Sequence, residues 1–132
     1  LISQVKKIEK QWSRREEIAK KYRRAFTKLR IDMPREYNNS KHGRHIFPIW
    51  VSSQKRDKIL EYINNHGVGA VINYPAIHLF SFYRKNFGFN EGMFPNAEEI
   101  AKRTISLPLY PKLTQKQTNY VIKIVAQAIS AS

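Results

Sequence analysis

The first thirty residues carry an apolar stripe that constrains the fold of the whole chain. Its members recur at alternating spacings of three and four: Leu1, Val5, Ile8, Trp12, Ala19, Tyr22, Phe26 and Leu29. This periodicity predicts one amphipathic helix of about 28 residues, with Ile18 widening the stripe. Because Arg15 and three aromatic residues occupy the seam, a coiled coil is less suitable than a helix that crosses a domain or connects it to something upstream.

The rest of the chain predicts short strands and helices in alternation. A β-branched and aromatic strand over 45–51 contains Pro48, which implies an edge position or a bulge. The other predicted elements are a short helix capped by Ser52 or Ser53, a strand over 69–73, a helical segment over 80–87, a helix from Asn96, a strand over 105–107 and a last helix after the capping box Thr114–Gln117. This order predicts an α+β fold, with a long N-terminal helix and a small β-sheet covered by helices.

Two local signals mark helix ends. Gly67 fits the left-handed position just beyond the end of the short helix. Glu98 and Glu99 are interpreted as acids in a first helical turn, where the helix dipole favours them. They are not read as paired carboxylates, because neighbours in a helix point apart.

Composition excludes several classes of protein. The chain has 132 residues, enough for one domain, and no cysteine, which removes disulfides, thiolate metal sites and cysteine nucleophiles. We expect a cytoplasmic protein without a membrane partner, since no apolar run approaches the ~20 residues that a span requires and Leu1-Ile2 opens no signal peptide. A first residue of Leu suggests a trimmed chain.

The charge is strongly basic and unevenly placed. The net charge is +14, and residues 1–30 hold eleven Lys or Arg against three Glu. Such an excess attracts nucleic acid, anionic membrane or phosphate-bearing small molecules, or it is simply a solvated helix face.

No self-contained active site is evident. His42 and His45 are spaced as two metal ligands, yet no cysteine joins them, so we expect no metal. Gly67 and Gly69 are better explained by a helix end before a strand than by a phosphate cradle. No serine lies in a nucleophile elbow.

The motifs of residues 66–111 carry a family resemblance. They are Gly67-Val68-Gly69, Asn73-Tyr74-Pro75-Ala76-Ile77-His78, Tyr83-Arg84, Phe94-Pro95-Asn96-Ala97-Glu98 and Ile105-Ser106-Leu107-Pro108-Leu109-Tyr110-Pro111. In this order and spacing they resemble the C-terminal region of the sugar aminotransferases of the DegT/DnrJ/EryC1/StrS family. The first helix and the strand at 45–49 are similar to the family as well, so that nearly all of the chain is covered.

The resemblance implies a part of a larger enzyme. The family uses pyridoxal phosphate, has the aspartate-aminotransferase fold type and acts on nucleotide-linked keto-sugars, which supply glycan and surface-polysaccharide precursors. Residues 1–30 would be the long connecting helix and 31–132 the small domain. The large domain, with the lysine that binds the cofactor, would precede them, and the intact enzyme would be a homodimer. We therefore expect no catalytic residue in this chain and no pyridoxal phosphate bound to it alone.

The resemblance also implies where substrate binds. The loop after the second strand would help to line the nucleotide-sugar site, with Asn73, Tyr74 and His78 bonding sugar hydroxyls or phosphate oxygens. Arg84 would pair with a pyrophosphate.

A stand-alone, non-catalytic binding module is the alternative, in which the basic helix engages an anionic partner such as nucleic acid. Against it, Trp12, Tyr22 and Phe26 fall on the apolar stripe and do not interleave with the basic face as a stacking platform requires. We therefore do not expect nucleic acid as a partner. A purely structural role, such as a dimerisation piece, is the third possibility.

Overall fold

The computed structural model describes residues 2–132, except for the side chains of residues 3 and 4. The helices and strands follow one another as α1 (Ile2–Val5), α2 (Ile8–Lys28), β1 (Phe47–Trp50), α3 (Arg56–Asn65), a 3-10 helix (Ile77–Leu79), α4 (Ser81–Phe87), α5 (Pro95–Arg103), β2 (Thr104–Leu107) and α6 (Gln115–Ser130). Helices α2, α3 and α5 contact a small two-stranded sheet, and α6 packs on α2 and α3, which confirms the predicted α+β class.

The first helix differs from the prediction of one continuous helix. A turn at Lys6 and Lys7 separates α1 from α2. Only the second half of the stripe enters the core, where Ile18, Ala19, Tyr22 and Phe26 are buried, whereas Val5, Ile8 and Leu29 are exposed. The stripe is buried only where α6 and the sheet cover it. Leu1 lies outside the described residues.

The sheet has two strands rather than three. β1 and β2 pair antiparallel, with Phe47 opposite Leu107 and Trp50 opposite Thr104. The predicted strand over 69–73 is reduced to a single bridge between Val71 and Ser106. Pairing cannot extend toward Gly69, because the residue two positions beyond Ser106 is Pro108, which has no amide hydrogen to donate.

The predicted helix ends are partly correct. The capping box of α6 is confirmed, since Thr114 Oγ1 accepts from the Gln117 amide at 3.2 Å and Gln117 Oε1 accepts from the Thr114 amide at 2.9 Å. Gly67 has the expected positive φ of 74° after α3. The serine cap of α3 is wrong: Lys55 precedes the helix and provides no side-chain cap. The Ser52 hydroxyl instead donates to Gln54.

One apolar core unites these elements. Its largest members with almost no exposed surface come from α2, both strands, α3 and α6: Tyr22, Phe26, Ile49, Ile63, Ile105 and Val125. The division of the chain at residue 30 stays a prediction. Within residues 2–132, no helix combines the length and apolar composition that crossing a bilayer demands.

Replacing Phe26 and Ile8 separates the buried part of the stripe from the exposed part. Phe26→Ala should lower the free energy of unfolding by about 3–5 kcal/mol, as removal of a buried aromatic ring does. Ile8→Ala should change it by less than about 0.5 kcal/mol, because Ile8 is 54% exposed. Denaturant unfolding of both variants is the measurement, and an equal loss in the two would contradict this division of the helix.

Candidate functional site

The loop over 71–79 presents the candidate substrate-binding residues. It leaves the sheet at the bridge between Val71 and Ser106 and ends in the 3-10 helix, against which α4 packs. The side chain of Tyr74 is 56% exposed, Asn73 is half-buried and His78 is buried. Arg84 lies on α4, where its side chain is exposed. Tyr74 and Arg84 are thus accessible to a ligand, whereas His78 faces inward.

His78 and Glu98 form a buried pair that attaches the loop to α5. The His78 ring is 8% exposed, and its Nε2 lies 3.0 Å from Glu98 Oε1. An ionised carboxylate at that distance favours the tautomer in which Nε2 carries the proton and donates it. The His78 ring also packs on the Phe94 ring, with their centroids 4.8 Å apart.

Glu98 also accepts hydrogen bonds from backbone amides of the segment that precedes α5. The Gly92 amide donates to both of its carboxylate oxygens, at 2.9 and 3.1 Å, and the Phe94 amide donates at 3.4 Å. Burial alone would raise the pKa of Glu98, but these amides and His78 together hold that pKa below its ordinary value. The carboxylate therefore remains ionised and ties together two segments that are 20 residues apart.

Sequence reasoning missed this role of Glu98. The interpretation as a helix-start acid matches its place in the first turn of α5. The pairing with His78 has no local signal, because a separation of 20 residues obeys no helical or strand period.

An exposed apolar surface surrounds the loop. It comprises the exposed side chains of Tyr74, Ile77, Phe80, Phe82, Phe87, Met93 and Phe94, called here the 74–94 face. Ring contacts of 4.8 to 6.0 Å connect His78, Phe94, Phe89, Phe87 and Tyr83 in sequence, and Phe82 packs on Tyr83. Helix α4 has no buried residue of its own. These ring contacts include three of the seven exposed side chains, and a group of exposed apolar side chains is typical of a site that contacts another protein segment or a ligand.

A second buried charge cluster lies away from this loop. Arg44 is buried and forms ion pairs with Glu16 of α2 and with Glu36. The hydrogen bonds from Arg44 hold the pKa values of both carboxyls below their ordinary range. All three groups have partners, so this cluster attaches the segment before β1 to α2.

The residues described here fit neither a metal nor covalent pyridoxal phosphate. Within residues 2–132, no three His, Asp or Glu side chains are grouped to hold a metal ion, and His42 Nδ1 accepts from the Arg44 amide. No lysine of those residues is buried. A lysine that binds an aldehyde cofactor is activated by a desolvated site or by a neighbouring cation, and no lysine of residues 2–132 lies in a desolvated site.

The His78–Glu98 pair predicts a pH-dependent contribution to stability. Glu98→Gln should lower the free energy of unfolding at neutral pH, whereas Glu99→Gln, at an exposed neighbour, should not. Because the pKa of Glu98 is lower in the folded state, its contribution is present above the ordinary value of 4.5 and is lost as the pH falls through the folded value. Chemical unfolding measured from pH 7 to pH 3 should therefore show the difference in unfolding free energy between the wild type and Glu98→Gln shrinking toward zero. A difference that is constant with pH would contradict the pairing.

The chain matches known proteins over nearly its full length. Residues 1–126 match the DegT/DnrJ/EryC1/StrS aminotransferase family. An uncharacterized protein of Methanocaldococcus jannaschii, MJ1066, is 37% identical over 98% of this chain and 35% of its own length. The spore coat polysaccharide biosynthesis protein SpsC of Bacillus subtilis is 29% identical over 99% of the chain and 35% of that protein.

A solved structure shares the fold. The PLP form of Streptococcus pneumoniae Spr1654, described as a sugar aminotransferase, superposes with a TM-score of 0.90 at 24% identity, covering 98% of this chain and 34% of that one. The chain thus spans about a third of the length of the relatives that it matches. The match over residues 1–126 shows that the chain belongs to the DegT/DnrJ/EryC1/StrS aminotransferase family.

Proposed function

We propose that this chain is the C-terminal part of a pyridoxal-phosphate-dependent sugar aminotransferase that transfers an amino group to a nucleotide-linked keto-sugar. Family membership and a span of about a third of the relatives support this. The polysaccharide role named for SpsC and the PLP form of Spr1654 agree with it. The chain is not catalytic alone, and the cofactor-binding lysine belongs to the preceding large domain.

The observation that carries the proposal is the 74–94 face. Seven large apolar side chains are exposed around a loop whose base is held by the buried hydrogen bond between His78 and Glu98. Water-exposed apolar area of this extent is unfavourable unless another surface covers it. The occupant that we assign to this face is the large domain of the enzyme, from the same subunit or from its homodimer partner.

Within that arrangement, each site residue has a distinct role. Tyr74 offers an accessible hydroxyl and Asn73 an amide to sugar hydroxyls or phosphate oxygens. Arg84 offers a guanidinium to the pyrophosphate. His78 has its Nε2 engaged by Glu98, so we assign it the positioning of the loop.

Replacement of Phe82 tests whether the 74–94 face is covered in the longer enzyme. Phe82 is 61% exposed, so Phe82→Asp should change the unfolding free energy of this chain by less than about 0.5 kcal/mol. In the full-length enzyme the same change should cost about 1.5–3 kcal/mol, the value of a buried large apolar side chain. Thermal and denaturant unfolding of both forms is the measurement.

Tyr37 provides the matched control. It is 78% exposed and lies outside the 74–94 face, so Tyr37→Asp should be neutral in both forms. If Phe82→Asp is as neutral as Tyr37→Asp in the full-length enzyme, the face is not covered and the proposal loses its main support.

Removal of the Tyr74 hydroxyl tests the substrate site. In the full-length enzyme, Tyr74→Phe should raise KM for the nucleotide sugar and leave the absorbance of the bound cofactor unchanged. One neutral hydrogen bond is worth about 0.5–1.5 kcal/mol and one to a charged oxygen up to about 3, so kcat/KM should fall from a few-fold to somewhat over a hundred-fold. Tyr37→Phe is the control. Kinetics equal to the wild type in Tyr74→Phe would remove Tyr74 from the site.

A further inference from the structure

Arg15 is a charged residue in the apolar stripe of α2. It follows Trp12 by three positions and precedes Ile18 by three, which places it on the face that packs inward. Its side chain is half-buried, and its Nε is buried without a hydrogen-bond acceptor among the residues that the structure describes. A buried polar nitrogen without an acceptor is costly, so its retention calls for a specific explanation.

The other arginines that are at least partly buried each have a carboxylate partner. This includes Arg23, paired with Glu36, and Arg56, paired with Asp57, although Nε of both also lacks a hydrogen-bond acceptor. Arg14 donates to Glu17 and to the Leu113 carbonyl, and Arg44 pairs with Glu16 and Glu36. Arg103 pairs with Asp32 and donates to the Val51 carbonyl. Arg15 takes part in none of the ion pairs found within residues 2–132. Its charge is thus uncompensated by the side chains around it.

Arg15 lines a surface depression with other hydrogen-bond donors. The depression has a volume of about 370 Å³ and is also lined by His45, Leu109, Tyr110 and Pro111. Its walls come from α2, from the segment before β1 and from the segment after β2. None of the described residues that line it carries a carboxylate. Arg44 borders it as well, but Glu16 and Glu36 already neutralise that charge.

We propose that this depression, called here the Arg15 pocket, binds an oxyanion group of a small molecule, a carboxylate or a phosphate. The planar guanidinium matches both groups in charge and geometry. The His45 ring and the Tyr110 hydroxyl supply further donors at the rim. The site uses only residues of this chain and lies outside the loop over 71–79, so it does not depend on the proposed function.

Histidine ring resonances of the full 132-residue chain test the proposal. Sodium phosphate and sodium glutamate are titrated separately at constant ionic strength. We expect a saturable shift of the His45 ring signals, with the ring of His66, which stacks on Tyr62 elsewhere, as the internal reference. Saturation by phosphate alone identifies a phosphate ester as the ligand class, and saturation by glutamate alone identifies a carboxylate.

Matched arginine variants separate a built site from diffuse attraction to a basic helix. Arg15→Gln should raise the dissociation constant of the bound anion by about 10-fold or more, because a charge-assisted hydrogen bond is lost. Arg24→Gln removes the same charge from an exposed position of α2 and should change it by less than about two-fold.

Two outcomes would overturn the proposal. One is a His45 chemical shift that changes linearly with the concentration of both anions, without saturation. The other is an equal loss of anion affinity in Arg15→Gln and Arg24→Gln. If Arg15→Gln loses its folded amide spectrum, Tyr110→Phe takes its place, because Tyr110 is exposed. Tyr110→Phe should weaken binding of the saturating anion several-fold, and unchanged binding would then count against the site.

Discussion

The fold depends on the contact of α2 with the sheet through Tyr22, Phe26 and Phe47. The rings of Tyr22 and Phe47 meet edge to face with centroids 5.1 Å apart, and Phe26 stacks on Tyr22. A two-stranded sheet is at best marginally stable in water, so β1 and β2 require such a cover. The Tyr22 hydroxyl donates to the Pro108 carbonyl at 3.1 Å, just beyond β2. Burial raises the pKa of that hydroxyl, which keeps the donor protonated.

Within the segment between α2 and β1, Ile31 joins the apolar core, whereas residues 34–45 are held mainly by charge. Arg44 lies within it with a positive φ of 50° and reaches Glu16 on the helix and Glu36 nearby. Arg23 also contacts Glu36, so two cations share that carboxylate. Because each buried charge has a partner of opposite sign, the cost of its desolvation is offset. A segment with few apolar residues can therefore still adopt one conformation.

The part that presents the candidate site is built differently from the core. The helices around the sheet share a continuous apolar interior, whereas the segment around α4 has exposed apolar side chains and is attached through His78 and Glu98. The Glu98 carboxylate, bonded to His78 and to two backbone amides, holds the loop in position and leaves its outer surface exposed. This arrangement suits a surface that completes its packing against another domain. The Arg15 pocket is formed by α2 and by the segments that precede β1 and follow β2.

Local chemistry was sufficient to predict much of the secondary structure. The capping box of α6, the glycine after α3 and the apolar strands β1 and β2 each depend on residues within a few positions of one another, and each is present. The motifs of residues 66–111 were sufficient for the family, because their order and spacing are a property of the chain alone.

Tertiary packing decided what no local pattern encodes. The apolar stripe of the first thirty residues indicates which face of the helix is apolar, but only the placement of α6 and the sheet determines that Phe26 is buried while Ile8 is exposed. The predicted strand over 69–73 became one bridge, because Pro108 in the facing segment has no amide hydrogen with which to continue the pairing. His78 and Glu98 form a hydrogen bond although they are 20 residues apart in the sequence. Arg15 lines one pocket with His45 and Tyr110, which are still farther from it along the chain. Such meetings follow from how the elements pack in space, since periodicity and capping describe only neighbours along the chain.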